Sequence, residues 1–120
     1  ILEVMPRETS VEGRQVQIPL DAARRFFGLG KTVGSSINLD LTNVDTQESR
    51  TLVLTLNRNP TARLSIRELE YSSRPCVLIF TQQGRGRFDF KLVRRAIDPS
   101  RFNALIAECE QTPPIRRWKL

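Results

Sequence analysis

The side chains with the clearest chemical potential lie between Asn57 and Arg63, where turn formers separate two apolar segments. Leucines alternate from Leu52 to Leu56, and apolar residues alternate again at Leu64 and Ile66, so both flanks predict strands with one buried face. The connection carries guanidinium, amide and hydroxyl groups at Asn57, Arg58, Asn59, Thr61 and Arg63. Because arginine pairs with guanine edges and asparagine with adenine edges, this β arm could read bases in a DNA major groove.

A second polar segment, Thr9 to Gln17, offers a similar set of side chains just before an apolar strand. Its candidate contact residues are Ser10, Glu12, Gly13, Arg14, Gln15 and Gln17. A carboxylate is unexpected on a phosphate-binding surface, but Glu12 could accept a hydrogen bond from cytosine N4. The pattern therefore predicts a second base-reading arm. Composition alone leaves open the alternative that both arms are polar hairpin tips without a partner.

Further cations could bind the phosphate backbone rather than the bases. Gln82 to Arg87 predicts a glycine-rich hairpin loop in which Arg85, Arg87 and backbone N–H groups could hold a phosphate. The alternative is an exposed hairpin loop whose charged residues keep it soluble. Lys31 is a further candidate phosphate contact, within a Gly-Lys-Thr triplet. A nucleotide-binding phosphate loop is disfavoured there, because Arg25 stands where its first glycine is required.

Catalytic chemistry has little support in the sequence. Asp89 and Lys91 share one face of a predicted strand, as in metal-dependent nucleases, but such a site needs a second acid and none is evident close by. Glu68 and Glu70 could supply it, although no pattern places them there. A solvated charge pair is the simpler interpretation. The absence of histidine excludes Ser-His-Asp and histidine–zinc sites. Cys76 and Cys109 predict buried hydrophobes, and no metal or cofactor is expected.

Length and charge indicate one basic domain covering residues 1–120. Nineteen Lys and Arg against 13 Asp and Glu give a net charge of +6 and a pI near 10.3. A polyanion is the expected partner, with nucleic acid ahead of an acidic membrane. A basic protein-interaction barrel remains the alternative without DNA. The sequence has no apolar run of transmembrane length, and its start at Ile1 suggests a piece of a longer polypeptide.

The elements that must position these residues are mostly strands. Val16 to Leu20 predicts a strand with Pro19 at its end or edge, and Cys76 to Thr81 predicts a strand covered on both faces. Asp21 is the expected N-cap of a helix over Ala22 to Leu29, and Asp98 with Pro99 begins a second helix. With strands joined mainly by hairpin-scale turns, the sequence predicts a mainly β fold with two helices, closed or nearly closed into a barrel.

One longer pattern has a known counterpart. Thr9-Ser10-x-Glu12-Gly13-Arg14-x-x-Gln17-Ile18-Pro19-x-x-Ala22-Ala23 resembles the opening of B3-type DNA-binding domains, and Asn57 to Arg63 is similar to their second arm. The resemblance extends over most of the chain and is closest to the B3-like recognition domains of bacterial restriction endonucleases. The chain lacks the histidine and the arm-region tryptophan of the plant members.

The resemblance implies a seven-stranded open pseudobarrel whose arms, Thr9 to Gln17 and Asn57 to Arg63, grip the major groove of double-stranded DNA. It also implies a restriction–modification enzyme in the bacterial cytoplasm, with catalysis in a separate, covalently fused nuclease domain. This chain would then be a recognition domain and not itself an enzyme. A transcription-regulator domain of the same fold is the alternative that the resemblance leaves open.

Overall fold

The computed structural model describes residues 2–4, 14–58, 61–69, 75–112 and 116–118. Two helices lie in this part of the chain, α1 (Leu20–Arg25) and α2 (Pro99–Glu108). The strands are β1 (Leu2–Val4), β2 (Gln15–Ile18), β3 (Ser36–Asn43), β4 (Ser49–Leu56), β5 (Ala62–Ser65), β6 (Cys76–Gly84), β7 (Arg87–Arg94), β8 (Glu110–Thr112) and β9 (Arg116–Trp118). Neither described helix has the length and apolar character needed to cross a membrane.

The mainly β prediction with two helices is confirmed, and the sheet is a curled, open half-barrel. Six strands form it in the order β2-β5-β4-β3-β7-β6, and β1, β9 and β8 continue the same sheet beyond β6. The described residues thus contain nine strands, and the expected count of seven is not confirmed. Neighbouring strands are antiparallel except β3 and β7, which pair in parallel from Asp40–Arg87 to Asn43–Phe90. The sequence did not predict this parallel pair, because its strands were expected to be joined mainly by short hairpin turns.

The core lies on one face of the half-barrel, where alternate residues of β2 to β7 point inward. Its largest fully buried side chains include Ile18, Leu39, Leu54, Leu64 and Phe90. The predicted alternation of β4 is confirmed at Leu54 and Leu56, which are buried, while Leu52 is partly buried against the same cluster. Because strand side chains alternate, the residues between these leucines must face the other way. The core therefore determines which side chains the opposite face presents.

Helix α1 is shorter than predicted and begins earlier. Pro19 occupies the N-cap position, its carbonyl accepts from the N–H of Ala23 at 2.9 Å, and no side chain caps the helix. The prediction of Asp21 as N-cap was wrong: Asp21 lies in the first turn, where its charge suits the positive end of the helix dipole. The helix ends at Arg25 rather than Leu29, with Phe26 as its C-cap. Gly28 then adopts a positive φ of 85°, and Leu29 is buried in the core.

Strand β6 is covered on both faces near its start, as predicted. Cys76 and Leu78 belong to the main core, whereas Val77 packs on the other side with Val93 and with Phe102 of α2. The predicted cap of α2 is also confirmed, since Asp98 Oδ1 accepts from the N–H of Arg101 at 3.1 Å and Pro99 is at the first helical position. Helix α2 thus covers the β6–β7 part of the sheet's outer face. It leaves β2, β5, β4 and β3 uncovered there.

Candidate nucleic-acid interface

The outer face of the half-barrel is polar across four strands, β2, β5, β4 and β3. The inter-strand register aligns Gln17 with Arg63 and Arg63 with Thr55, and Thr55 is aligned with Ser36 of β3. These four side chains lie on the same face, because directly paired residues of neighbouring strands point the same way. All four are exposed or half-buried. One row of amide, guanidinium and hydroxyl groups therefore crosses β2, β5, β4 and β3.

An open groove of about 460 Å³ lies on this face. Its lining comes from β2, β4, β5 and the β4–β5 connection: Gln15, Val53, Thr55, Asn57, Thr61 and Arg63. Pairing between β4 and β5 covers only Thr55–Arg63 and Leu56–Ala62, and the groove lies where this pairing ends. The lining of this one groove thus includes Gln15 of the first predicted arm and Asn57, Thr61 and Arg63 of the second.

The two predicted arms adjoin through an antiparallel strand pair. The chain enters β2 at Gln15 and β5 at Ala62, and these entry points lie at opposite ends of the pair. The paired segment runs from Gln15–Ser65 to Ile18–Ala62, which is three residue steps or about 10 Å at ~3.3 Å per step. The major groove of B-DNA is about 12 Å wide. The spacing of the two entry points is therefore comparable with the width of a major groove.

Hydrogen bonds hold the base of the second arm. Asn57 N–H donates to the Thr61 carbonyl at 2.9 Å, and Asn57 Nδ2 is 3.4 Å from Thr61 Oγ1. Arg58 lies within this closed turn and is exposed. On the other side of β4, the Leu56 carbonyl accepts from Gly34 N–H at 2.8 Å, which joins the arm to the segment carrying Lys31. Hydrogen bonds thus join the start of the arm to Thr61 and the residue before it to the segment that precedes β3.

Three exposed cations, Lys31, Arg58 and Arg85, lie toward the same end of the half-barrel. That end contains the start of β3 and the end of β4, which pair as Ser36–Thr55. The β6–β7 turn points to it as well, because β7 runs parallel to β3 and Gly86 carbonyl accepts from Asp40 N–H at 2.8 Å. This end, called the cationic end below, is suited to phosphate.

The predicted hairpin over Gln82 to Arg87 is present, with a shorter turn than the six-residue loop that was expected. Strand β6 continues to Gly84, β7 begins at Arg87, and two residues, Arg85 and Gly86, form the turn; a bulge precedes it. Gly86 has a φ of 72°, which suits glycine at such a turn. A Cβ on Gly84 would lie 2.9 Å from Arg87 Nη2, so the Arg87 guanidinium packs over the Gly84 backbone. Arg85 is consequently the cation at the tip, while Arg87 lies on the polar face beside Asp40.

Acidic side chains concentrate at the opposite end, around the β3–β4 turn. Lys91 Nζ is 2.7 Å from Asp45 Oδ1, and Arg67 pairs with Glu48. The third ion pair seen within the described residues joins Arg50 to Glu68. These carboxylates are therefore neutralised by local cations and kept away from Lys31, Arg58 and Arg85. The charges near the β3–β4 turn are thus paired. Among the described residues, no ion pair is seen for the three cations of the cationic end.

The Glu68 carboxylate is hydrogen-bonded by two side chains. It accepts from Asn43 Nδ2 at 3.0 Å and from Arg50, and Asn43 is itself buried. Burial alone raises the pKa of Glu68, but the hydrogen bonds from Asn43 and Arg50 and the charge of Arg50 outweigh it, so the pKa lies below its usual value. Glu68 is ionised at neutral pH and joins the end of β3 to the start of β4.

Asp89 and Lys91, the candidate nuclease pair, each contact another side chain. Lys91 contacts Asp45, and Asp89 Oδ2 accepts from Gln83 Nε2 at 2.9 Å. Glu68 is held by Asn43 and Arg50, and no group of three or more potential metal-binding side chains occurs among the residues that the structure describes. Lys91 is thus ion-paired with Asp45, and Asp89 is hydrogen-bonded by Gln83.

Some predicted contact residues lie outside the described part of the chain: Ser10, Glu12, Gly13 and Asn59. Of the others, Gln15, Asn57, Thr61 and Arg63 line the groove, and Gln17 lies in the same polar row. Arg14 immediately precedes β2, where its carbonyl accepts from Ile66 N–H at 2.7 Å. Sequence reasoning missed Val53 and Thr55, although the alternation that buries Leu54 already directs both to the opposite face.

No protein-family model matches the sequence, and comparison with curated proteins gives no match.

Proposed function

We propose that this chain is a sequence-specific double-stranded DNA-binding domain that reads base edges in the major groove. One observation carries the proposal: side chains from both predicted arms, Gln15 on one and Asn57, Thr61 and Arg63 on the other, line a single open groove. Their amide, hydroxyl and guanidinium groups are those that recognise base edges. An open, polar groove also differs from the enclosed, mainly apolar pocket typical of small-molecule sites.

The distribution of charge supports two classes of contact. Arg63 is exposed in the groove, where a guanidinium can pair with guanine O6 and N7. Lys31, Arg58 and Arg85 lie toward the cationic end, where they would meet the phosphate backbone as the duplex runs along the sheet. The acids near the β3–β4 turn lie toward the other end, so phosphate avoids them. Base contacts would then set the sequence, and phosphate contacts would supply much of the affinity.

The fold and context that we propose follow from the sequence resemblance. The curled half-barrel supports a B3-like open pseudobarrel in which β2 and the β4–β5 connection carry the two arms. In this proposal the chain is the target-recognition domain of a bacterial, cytoplasmic restriction endonuclease, and a covalently fused nuclease domain performs cleavage. The isolated chain should bind DNA without cutting it, so magnesium-dependent cleavage by the purified chain would contradict the assignment.

The direct test is selection of bound duplexes from a random pool at a fixed salt concentration, followed by measurement of Kd for each variant. Arg63→Ala should remove preference at one base pair, about 1–3 kcal/mol of discrimination, because the base loses its paired donors. Lys31→Ala should weaken every duplex alike and reduce the slope of log K against log salt by about 1. Arg58→Ala should likewise weaken every duplex alike, and a loss of preference at one base pair would instead identify Arg58 as a base contact.

A matched control is Arg101→Ala, which removes an exposed arginine from α2, away from the groove. It should leave both sequence preference and the salt slope close to those of the parent chain. If Arg63→Ala and Lys31→Ala instead reduced affinity equally for all sequences, the assignment of the groove to base readout would be wrong. If the pool yielded no preferred duplex, the proposed function itself would fail.

A further inference from the structure

Among the described residues of β2, β5, β4 and β3, Val53 is the apolar exception on the polar face. Its side chain is 56% exposed, although it lies at the centre of β4, beside Asn38 on the neighbouring strand and between Thr51 and Thr55 along its own. It also lines the groove that contains Arg63. In the sheet register it would be opposite Ser65, but β4 and β5 stop pairing at Thr55–Arg63, so the Val53 methyls face the open part of the groove.

Resting on the proposed DNA-binding function, we infer that Val53 reads the C5 methyl group of a pyrimidine. In the major groove, thymine presents this methyl beside its O4 acceptor, and apolar side chains contact it there. The polar neighbours Thr55 and Arg63 supply donors for adjacent acceptors, while the valine methyls match the one apolar feature of the base-pair edge. A methylated cytosine presents the same methyl, so the shared ligand chemistry is a C5-methylated pyrimidine.

The test uses the duplex selected from the random pool and the purified 120-residue chain. Each thymine is replaced singly by deoxyuracil, which removes only the methyl, and each cytosine is replaced singly by 5-methylcytosine. One thymine-to-uracil change should weaken binding about fourfold, equivalent to about 0.8 kcal/mol for one methyl group withdrawn from contact. A fourfold gain on methylation of one cytosine would instead identify methylated cytosine as the ligand.

Val53→Thr keeps the branched shape and replaces one methyl with a hydroxyl. It should reduce the fourfold difference between the methylated and unmethylated base at that position to about twofold, because one of the two methyls remains. Val33→Thr is the matched control: Val33 is 53% exposed but lies in the turn before β3, outside the groove, so the fourfold difference should persist. Circular dichroism of both variants should match that of the parent chain.

The outcomes separate this inference from the function on which it rests. A preferred duplex with no methyl-sensitive position would overturn the role of Val53 and leave sequence-specific binding intact. A methyl effect that persists unchanged in Val53→Thr would also overturn it. A chain that selects no duplex would overturn the proposed function, and the role of Val53 with it.

Discussion

Replacing Glu68 with glutamine tests whether the Asn43–Glu68–Arg50 network stabilises the fold. The carboxylate accepts hydrogen bonds from Asn43 and Arg50, and the Arg50 and Glu68 side chains are each only 20% exposed. Glutamine retains one acceptor oxygen but directs an amide donor at one of the two donors. One charge-assisted bond is lost, so the free energy of unfolding should fall by about 1.5–3 kcal/mol.

The effect should depend on pH with a defined sign. Because the pKa of Glu68 is lowered in the folded chain, its stabilisation is fully present above the unfolded-state pKa, about 4.3. It is lost as the pH falls through the lower, folded-state pKa. The difference between the parent chain and Glu68→Gln should therefore be constant from about pH 6 to 8 and shrink below about pH 4.

Urea denaturation followed by circular dichroism, repeated across this pH range, measures the difference directly. Glu48→Gln is the control, because the Arg67–Glu48 pair is 60% and 56% exposed and should contribute about 0.5 kcal/mol or less. Arg50→Met combined with Glu68→Gln completes a double-mutant cycle whose coupling energy isolates the pair. Equal losses for Glu68→Gln and Glu48→Gln, or a loss that does not change with pH, would refute the reasoning.

The remaining predictions concern register, turn geometry and charge. Leu54→Ala should cost about 2–5 kcal/mol in urea denaturation and Val53→Ala less than about 1, because the first side chain is fully buried and its neighbour exposed; similar losses would contradict the register of β4. Gly86→Ala should cost about 1–2 kcal/mol from its positive φ alone, since the added Cβ would be an ordinary 3.6 Å from the Asn38 carbonyl; an unchanged midpoint would argue against this turn. Titrations of any duplex at several salt concentrations should give a shallower slope for Lys31→Ala, and an unchanged slope would exclude a phosphate contact there.

Patterns within single segments of the sequence predicted much of the strand structure. Period-two alternation from Leu52 to Leu56 indicated which face of β4 is buried, and the unbroken apolar start of β6 indicated cover on both sides. The Asp98–Pro99 cap was also correct, because capping depends on residues within one helical turn. The start of α1 was predicted wrongly, since the Pro19 backbone rather than an Asp21 side chain occupies the cap position.

The candidate site was predictable in its residue types but not in its assembly. Each arm was recognised separately, yet the groove exists because β2 pairs with β5 and because β4 leaves β5 after two residue pairs. Val53 becomes a candidate contact residue only through that arrangement, because a single exposed valine in a strand needs no functional explanation.

By itself, the sequence determined the mainly β character, the buried faces of its strands, the basic charge and the polar composition of the two arms, because these depend on neighbouring residues and on counting. The tertiary structure decided the parallel pairing of β3 with β7, the Asn43–Glu68–Arg50 network and the meeting of Gln15 with Arg63 in one groove. Each of these joins residues distant along the chain, and their pairing depends on how the whole sheet curls around its core. No local periodicity encodes that choice of strand neighbours.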